Sequence, residues 1–215
     1  MLKIYGPAWS RANRVLWLAA ELGLEFEHVP TDLWGGAHKQ PEFLALNPNG
    51  RVPVLVDGDL VLSESLAINL YLAKQRRSSL YPQDAASEAR IWQWTIWAAS
   101  DIEMPLITAL VHRVIRDEPE RDHVAADTAE ERLQRGFKVL ELIFAERPYL
   151  LGDGFTLADL NLAGVLLYAE PARIGFARYP HLADWRRRCV GRPGYAAFEV
   201  AAGPAGLIPP WAAAL

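Results

Sequence analysis

Four short stretches of the sequence place reactive or ligand-binding side chains where a backbone could present them. Ser10-Arg11-Ala12-Asn13-Arg14 stands where a short apolar run gives way to a helical repeat. Orphan backbone amides and the positive end of a helix dipole favour an anion at such a junction. The Ser10 hydroxyl could donate there to a thiolate or an oxyanion, or simply cap the helix. Glu64-Ser65 opens another helical repeat, where Ser65 and the first-turn amides suit a carboxylate and Glu64 suits an ammonium group. Together they match the end of an α-amino acid; a helix cap beside a solvated carboxylate is the other use of the same residues. His38, Lys39 and Arg51 supply positive charge for a second ligand carboxylate, or are solvated surface charges. At Val52-Pro53-Val54 a proline enters a β-prone run. It has no backbone donor, so an edge or turn position is required. A cis bond would suit it and leave the amide and carbonyl of Val52 free to pair with an extended ligand; a trans proline at a strand start also satisfies the tripeptide.

Other chemistries lack their residues. His28, His112, His123 and His181 show neither HxxxH nor HxxE spacing, so no metal site is expected. There is no GxSxG, Walker or GxGxxG pattern. The single cysteine, Cys189, excludes intramolecular disulfides and CxxC redox chemistry and suits a reducing compartment.

The elements that must position these residues follow from periodicity. Leu2 to Tyr5 reads as a strand closed by Gly6-Pro7, and Val15, Leu18, Ala19 and Leu22 repeat at helical spacing until Gly23. Phe26 to Val29 reads as a second strand, making a parallel right-handed βαβ unit. A short helix at Glu42 to Leu46 is followed by the strand Arg51 to Val56. Asp57-Gly58-Asp59 then turns the chain into Leu60-Val61-Leu62 as an antiparallel hairpin. Leu66, Leu70 and Ala73 mark the next helix, with Ser63 and Ser65 both suited to cap it.

From Leu80-Tyr81-Pro82 onward the pattern is helical. Ile91, Trp94, Ala98 and Ile102 form one apolar stripe; Leu133, Phe137, Leu140 and Phe144 form another. Trp92, Trp94 and Trp97 suit core and interface. Thr156-Leu157-Ala158-Asp159 has capping-box spacing, and Pro180 suits the first turn of a further helix. The expected architecture is α/β plus all-α: βαβ, short α and ββα over 1–77, a linker at 78–82, helices over 83–205, and an irregular tail over 206–215 containing Pro209 and Pro210, with Pro204 just before it.

Half of the 215 residues are hydrophobic (51%), which supports a folded chain, and 22 basic against 26 acidic residues leave a net charge of −4. Nucleic acid is therefore not an expected partner. No uncharged stretch approaches a membrane span, and Met1 to Gly6 reaches a turn before a secretory segment could form, so the cytoplasm is the expected location.

Taken jointly, these stretches resemble the cytosolic glutathione S-transferases over nearly the whole chain, in a bacterial-type, serine-class-like form. The resemblance is carried by Tyr5-Gly6 with Ser10-Arg11 and Arg14-Val15-Leu16-Trp17, by Glu21-Leu22-Gly23-Leu24, and by Asn47-Pro48-Asn49-Gly50-Arg51-Val52-Pro53-Val54-Leu55. Asp57-Gly58 ahead of Ser63-Glu64-Ser65-Leu66-Ala67-Ile68-Asn69-Leu70-Tyr71-Leu72 extends it. In the second half Leu80-Tyr81-Pro82, Phe155-Thr156-Leu157-Ala158-Asp159 and Tyr179-Pro180-His181-Leu182-Ala183-Asp184-Trp185 are similar to the family's helical domain.

The resemblance implies a thioredoxin-like N-terminal domain that binds glutathione as co-substrate, an all-α domain supplying most of the pocket for a small hydrophobic electrophile, and a homodimer. It implies Ser10 as the residue that activates the thiol, Val52 and Pro53 as the clamp on the cysteinyl part, and Glu64 with Ser65 as the γ-glutamyl site. His38, Lys39 and Arg51 fall near the glycyl carboxylate. The implied activity is addition of the glutathione thiolate to electrophiles. Peroxide reduction, dehalogenation, isomerisation and a non-catalytic ligandin role remain alternatives. Two departures bear on these. Arg11-Ala12-Asn13 after Ser10 differs from the serine- and cysteine-rich signature of the maleylacetoacetate isomerase class, and Trp9 is bulky enough to narrow access to a thiol.

Overall fold

The computed structural model describes residues 1–207. The expected irregular tail, with Pro209 and Pro210, lies almost wholly outside them. The chain divides into two compact units, one holding Met1–Ser78 together with the last helix, the other Ser79–Gly191.

The first unit is built on a four-stranded mixed sheet in the order β2-β1-β3-β4. β1 (Lys3–Tyr5) pairs in parallel with β2 (Glu27–Val29) and antiparallel with β3 (Val54–Asp57), which pairs antiparallel with β4 (Leu60–Ser63). Asp57 stands opposite Leu60, so Gly58-Asp59 makes a two-residue hairpin turn, with Gly58 at φ 62. Between β1 and β2 lies α1 (Asn13–Glu21), stopped at Leu22-Gly23 with Gly23 at φ 60. A 3₁₀ turn, Ala37–Lys39, and α2 (Pro41–Leu46) precede β3, and α3 (Ser65–Gln75) follows β4. The core gathers Ile4, Val15, Trp17, Leu18, Leu55, Ile68 and Leu72, all fully buried.

The second unit is helical. α4 (Ala85–Trp97) and α5 (Met104–Leu110) form one long rod whose middle, Ala98–Glu103, widens into π-helix, as does its end, Val111–Ile115. Pro105 accounts for the first widening. It cannot donate to the carbonyl of Asp101 and its ring would crowd that carbonyl, so the turn opens instead of breaking. α6 (His123–Glu146), α7 (Leu157–Leu166) and α8 (Pro180–Val190) complete the unit. Leu133, Phe137 and Leu140 are fully buried, as expected of their stripe, and Trp185 stacks on Phe144 at 4.6 Å between centroids.

α7 starts where the Thr156–Asp159 spacing places it. Asp159 is fully buried and accepts from the amide and hydroxyl of Thr156, the amide of Leu150 and the indole N–H of Trp185, at 2.8–3.0 Å. Burial pushes its carboxyl up from the usual range, against the opposite pull of these donors.

α9 (Pro193–Leu207) differs from the expectation in place and length. It belongs with the first unit, packed on α1, whereas the sequence assigned residues through 205 to the helical half. Trp17 meets Tyr195 edge-on at 4.9 Å, and Arg192 Nε donates to the buried Glu21 carboxylate at 2.9 Å. These partners are more than 170 positions apart in sequence, so no local pattern could announce them. The helical segment also runs across a kink at Gly203 (φ 67, ψ 161) as far as Leu207, two residues into the tail expected to be irregular.

Candidate functional site

The stretches singled out in the sequence lie on the first unit, at the chain reversals that follow β1 and precede β3 and α3. Gly6 ties two of them together. At φ 130 it occupies backbone space that other residues rarely adopt, and a Cβ on it would fall 2.9 Å from Val52 Cβ and 3.0 Å from Ala12 Cβ. The Ser10–Ala12 turn and the Val52-Pro53 segment therefore flank one glycine. His28 fixes the same point by donating from Nε2 to the Gly6 carbonyl at 2.8 Å.

Ser10 is 7% exposed and lies two residues before the N-cap of α1, which is Ala12. The cap expectation is therefore corrected in its detail. The hydroxyl accepts from the Ala12 amide at 3.2 Å and donates its proton to the Pro7 carbonyl at 2.7 Å. It holds a turn, and donation to a ligand requires that proton to rotate away from Pro7. Asn13 beside it is buried, with its Oδ1 unpartnered.

The Val52–Pro53 bond is cis. Pro53 is buried and β3 begins only at Val54, so neither the amide nor the carbonyl of Val52 makes a backbone hydrogen bond among the described residues.

At the start of α3 the N-cap is neither Ser63 nor Ser65, as the sequence suggested, but Glu64. Glu64 adopts φ 69, ψ 105 and makes no side-chain cap. A left-handed φ at a residue with a Cβ costs about 1–3 kcal/mol and collects at functional sites. Ser65, 4% exposed, has no hydrogen-bond partner for its hydroxyl among the described residues. The first turn of α3 thus presents open amides and, on a largely buried serine, an unpaired hydroxyl beside an exposed carboxylate.

His38 and Lys39 sit in the 3₁₀ turn, and Lys39 Nζ donates to the Gly50 carbonyl at 3.3 Å. Gly50, at φ 56, lies so close that a Cβ would meet the His38 carbonyl at 2.9 Å. Arg51 is exposed, its carbonyl held by Asn47 Nδ2 at 2.8 Å. The turn and the loop entering β3 therefore share one edge. The sequence reading passed over Trp34, which is 61% exposed and stacks on Trp9 at 6.5 Å and 22° between planes. Its setting before Gly35-Gly36 was the available clue: a bulky apolar residue in a polar loop has no core to join.

Among the described residues no group of three or more His, Cys, Asp or Glu side chains could hold a metal ion, and no helix is long and apolar enough to cross a membrane.

The family model described as "Glutathione S-transferase, N-terminal domain" matches residues 2–74, and "Glutathione S-transferase, C-terminal domain" matches 103–193. Glutathione S-transferase 3 of Zea mays is 41% identical over 205 residues, covering 90% of this chain and 91% of its own. Glutathione S-transferase F13 of Arabidopsis thaliana is 38% identical over 208 residues, covering 90% and 93%. Among solved structures, glutathione transferase F7 from Populus trichocarpa superposes with a TM-score of 0.85 at 29% identity, covering 97% of this chain and all of that one. The apo structure of glutathione S-transferase III gives 0.82 at 39%, covering 97% and 98%. The curated relatives named here are plant proteins, so the bacterial-type, serine-class-like form read from the sequence finds no support in them. Two matched domain models and relatives aligned along nine-tenths of the chain have one meaning: it belongs to the glutathione S-transferase family.

Proposed function

We propose that this protein transfers the thiolate of glutathione to small hydrophobic electrophiles, with serine-type activation of the thiol. The observation that carries the reading is the start of α3, where the unpaired hydroxyl of Ser65 and open first-turn amides stand beside a strained glutamate. Ser65 and these amides hold the γ-glutamyl carboxylate, and Glu64 pairs with the ammonium group. Val52 pairs through its free amide and carbonyl with the cysteinyl residue, beside Pro53. Lys39, His38 and Arg51 face the glycyl carboxylate from the turn and the loop.

The Ser10 hydroxyl then serves the sulfur. Turning from the Pro7 carbonyl costs a neutral hydrogen bond, about 0.5–1.5 kcal/mol, and gains a charge-assisted one of about 1.5–3 kcal/mol. The difference, about 1–2 kcal/mol, lowers the thiol by roughly one pKa unit from its free value near 8.5. Ser10 therefore contributes to activation, and the positive end of the α1 dipole supplies the rest. The stacked Trp9 and Trp34 offer a flat apolar wall next to Ser10 in sequence, which favours planar electrophiles.

Trp92, Ile96 and Met104 are exposed along the α4–α5 rod, as are Leu60 and Val61 on the edge strand β4. These faces support a homodimer, which sedimentation at micromolar concentration tests. The single cysteine, fully buried, accords with a cytoplasmic setting.

Ultraviolet titration of the bound thiolate tests the mechanism. Ser10→Ala is expected to move its appearance about one pH unit higher and lower the conjugation rate at neutral pH, with glutathione affinity nearly unchanged. An unmoved titration and rate, with loss of thermal stability alone, would make Ser10 a turn residue only. Products decide the reaction: a thioether retaining glutathione supports conjugation, and glutathione returned unchanged or as its disulfide rejects it.

A further inference from the structure

A cavity in the first unit uses none of the residues assigned above. It has a volume of about 580 Å³ and opens between the ends of β1 and β2 and the face of α2. That volume suits a drug-sized ligand. Its apolar lining includes Tyr5, Val29, Phe43 and Leu46, with the Tyr5 and Phe43 rings edge to face at 6.3 Å. Its charged groups are Asp32 and Glu42, both exposed and neither ion-paired among the described residues. Asp32 Oδ1 accepts from the Gly35 amide at 2.8 Å, which leaves Oδ2 open. No Lys, Arg or His lines the space.

We infer that this cavity binds small organic cations with an aromatic body. Two carboxylates with no counter-cation attract a positive group and repel an anion. Two aromatic rings in the same lining suit a flat apolar body and favour a cation over their faces or beside them. The pairing of two carboxylates with two aromatic rings in one lining is what sets the ligand class; neither feature alone would.

The site also touches the glutathione reading at one place. Ala37 and Gln40 line the cavity, and they flank His38 and Lys39. An occupant therefore contacts the turn that carries those two cations, and a changed KM for glutathione is expected when it binds. That consequence rests on the proposed function; binding of the cation does not.

The experiment is calorimetry on the full chain without glutathione, using 2-naphthylmethylammonium, 2-naphthylmethanol and 2-naphthoate as probes of one shape and three charges. The ammonium is expected to bind best, the alcohol more weakly and the carboxylate least, with the preference shrinking as salt is added. Asp32→Asn, which keeps an acceptor for Gly35, and Glu42→Gln should each weaken the ammonium up to about fivefold while leaving the alcohol unchanged. The double variant should bring ammonium and alcohol level. The inference is overturned if the three probes bind alike, if no heat appears up to millimolar ammonium, or if the double variant binds the ammonium as the parent does. Because glutathione is absent from these titrations, failure of the conjugation reading would leave each of these outcomes unchanged.

Discussion

Helices α3 and α7 begin on similar vocabulary, Ser63-Glu64-Ser65 and Thr156-Leu157-Ala158-Asp159, and treat their first-turn donors in opposite ways. In α7 the buried Asp159 gathers four donors from Thr156, Leu150 and Trp185, so the helix start, the preceding loop and α8 are locked by one carboxylate. In α3 the cap position falls to a glutamate at positive φ that caps nothing, and the serine behind it is buried with its hydroxyl unmet. A satisfied start stabilises the fold. An open one built on a strained residue costs stability through that strain and is ready for a ligand.

The largest expected effect lies on the satisfied side. Asp159→Ala strands buried donors on Leu150, Thr156 and Trp185 and should destabilise the protein by about 3–5 kcal/mol, read as a lowered urea midpoint. Should that variant not fold, Asp159→Asn keeps one acceptor oxygen and should lose less. A cost below about 1 kcal/mol for the alanine variant would break the comparison, because the carboxylate would then be no lock.

On the open side the effect should fall on binding. Ser65→Ala removes a donor to the γ-glutamyl carboxylate and should weaken glutathione by about 10- to 150-fold, the equivalent of about 1.5–3 kcal/mol, with the unfolding midpoint hardly moved. The opposite pattern, stability lost and affinity kept, would make Ser65 an ordinary helix residue. Glu64→Gly sharpens the same point. Glycine accepts φ 69 without strain, so the variant should gain up to about 1 kcal/mol, a rise of roughly 2–4 °C in Tm, while glutathione binds more weakly for want of the ammonium partner. Gain of stability with loss of function is the signature of a strained functional residue.

How far the sequence revealed this contrast depends on how local each determinant is. The hairpin was legible from Asp57-Gly58-Asp59, the stripe of α6 from Leu133, Phe137 and Leu140, and the start of α7 from Thr156 and Asp159, since each rests on neighbours within one turn. The same grammar misplaced the cap of α3 and the role of the Ser10 hydroxyl in its turn, because backbone paths set by β1, β3 and β4 decide which residue takes the cap. The docking of α9 through Arg192 and Glu21 was not legible, because it joins distant segments. The π-helical widening ahead of Pro105 could have been read from that proline inside an apolar repeat.

Two acidic caps in the helical unit give the smallest and most specific test, because their titrations carry opposite signs. Asp84 caps α4 from the surface by accepting from the Ser87 amide at 2.8 Å, and that bond holds its carboxyl below the usual value of 3.8. A depressed carboxyl adds stability above the unfolded value, and the gain is lost as pH falls through the folded one. Asp159 is displaced the other way by burial, so its charged form is costly to the fold and acidification relieves that cost. Asp84→Asn keeps a good N-cap but cannot titrate. Its urea midpoint should lie slightly below that of the parent from pH 5 to 7, and the gap should close as the pH is brought below about 3.8. A gap that stayed constant across that range would mean that the Asp84 charge adds nothing to the cap.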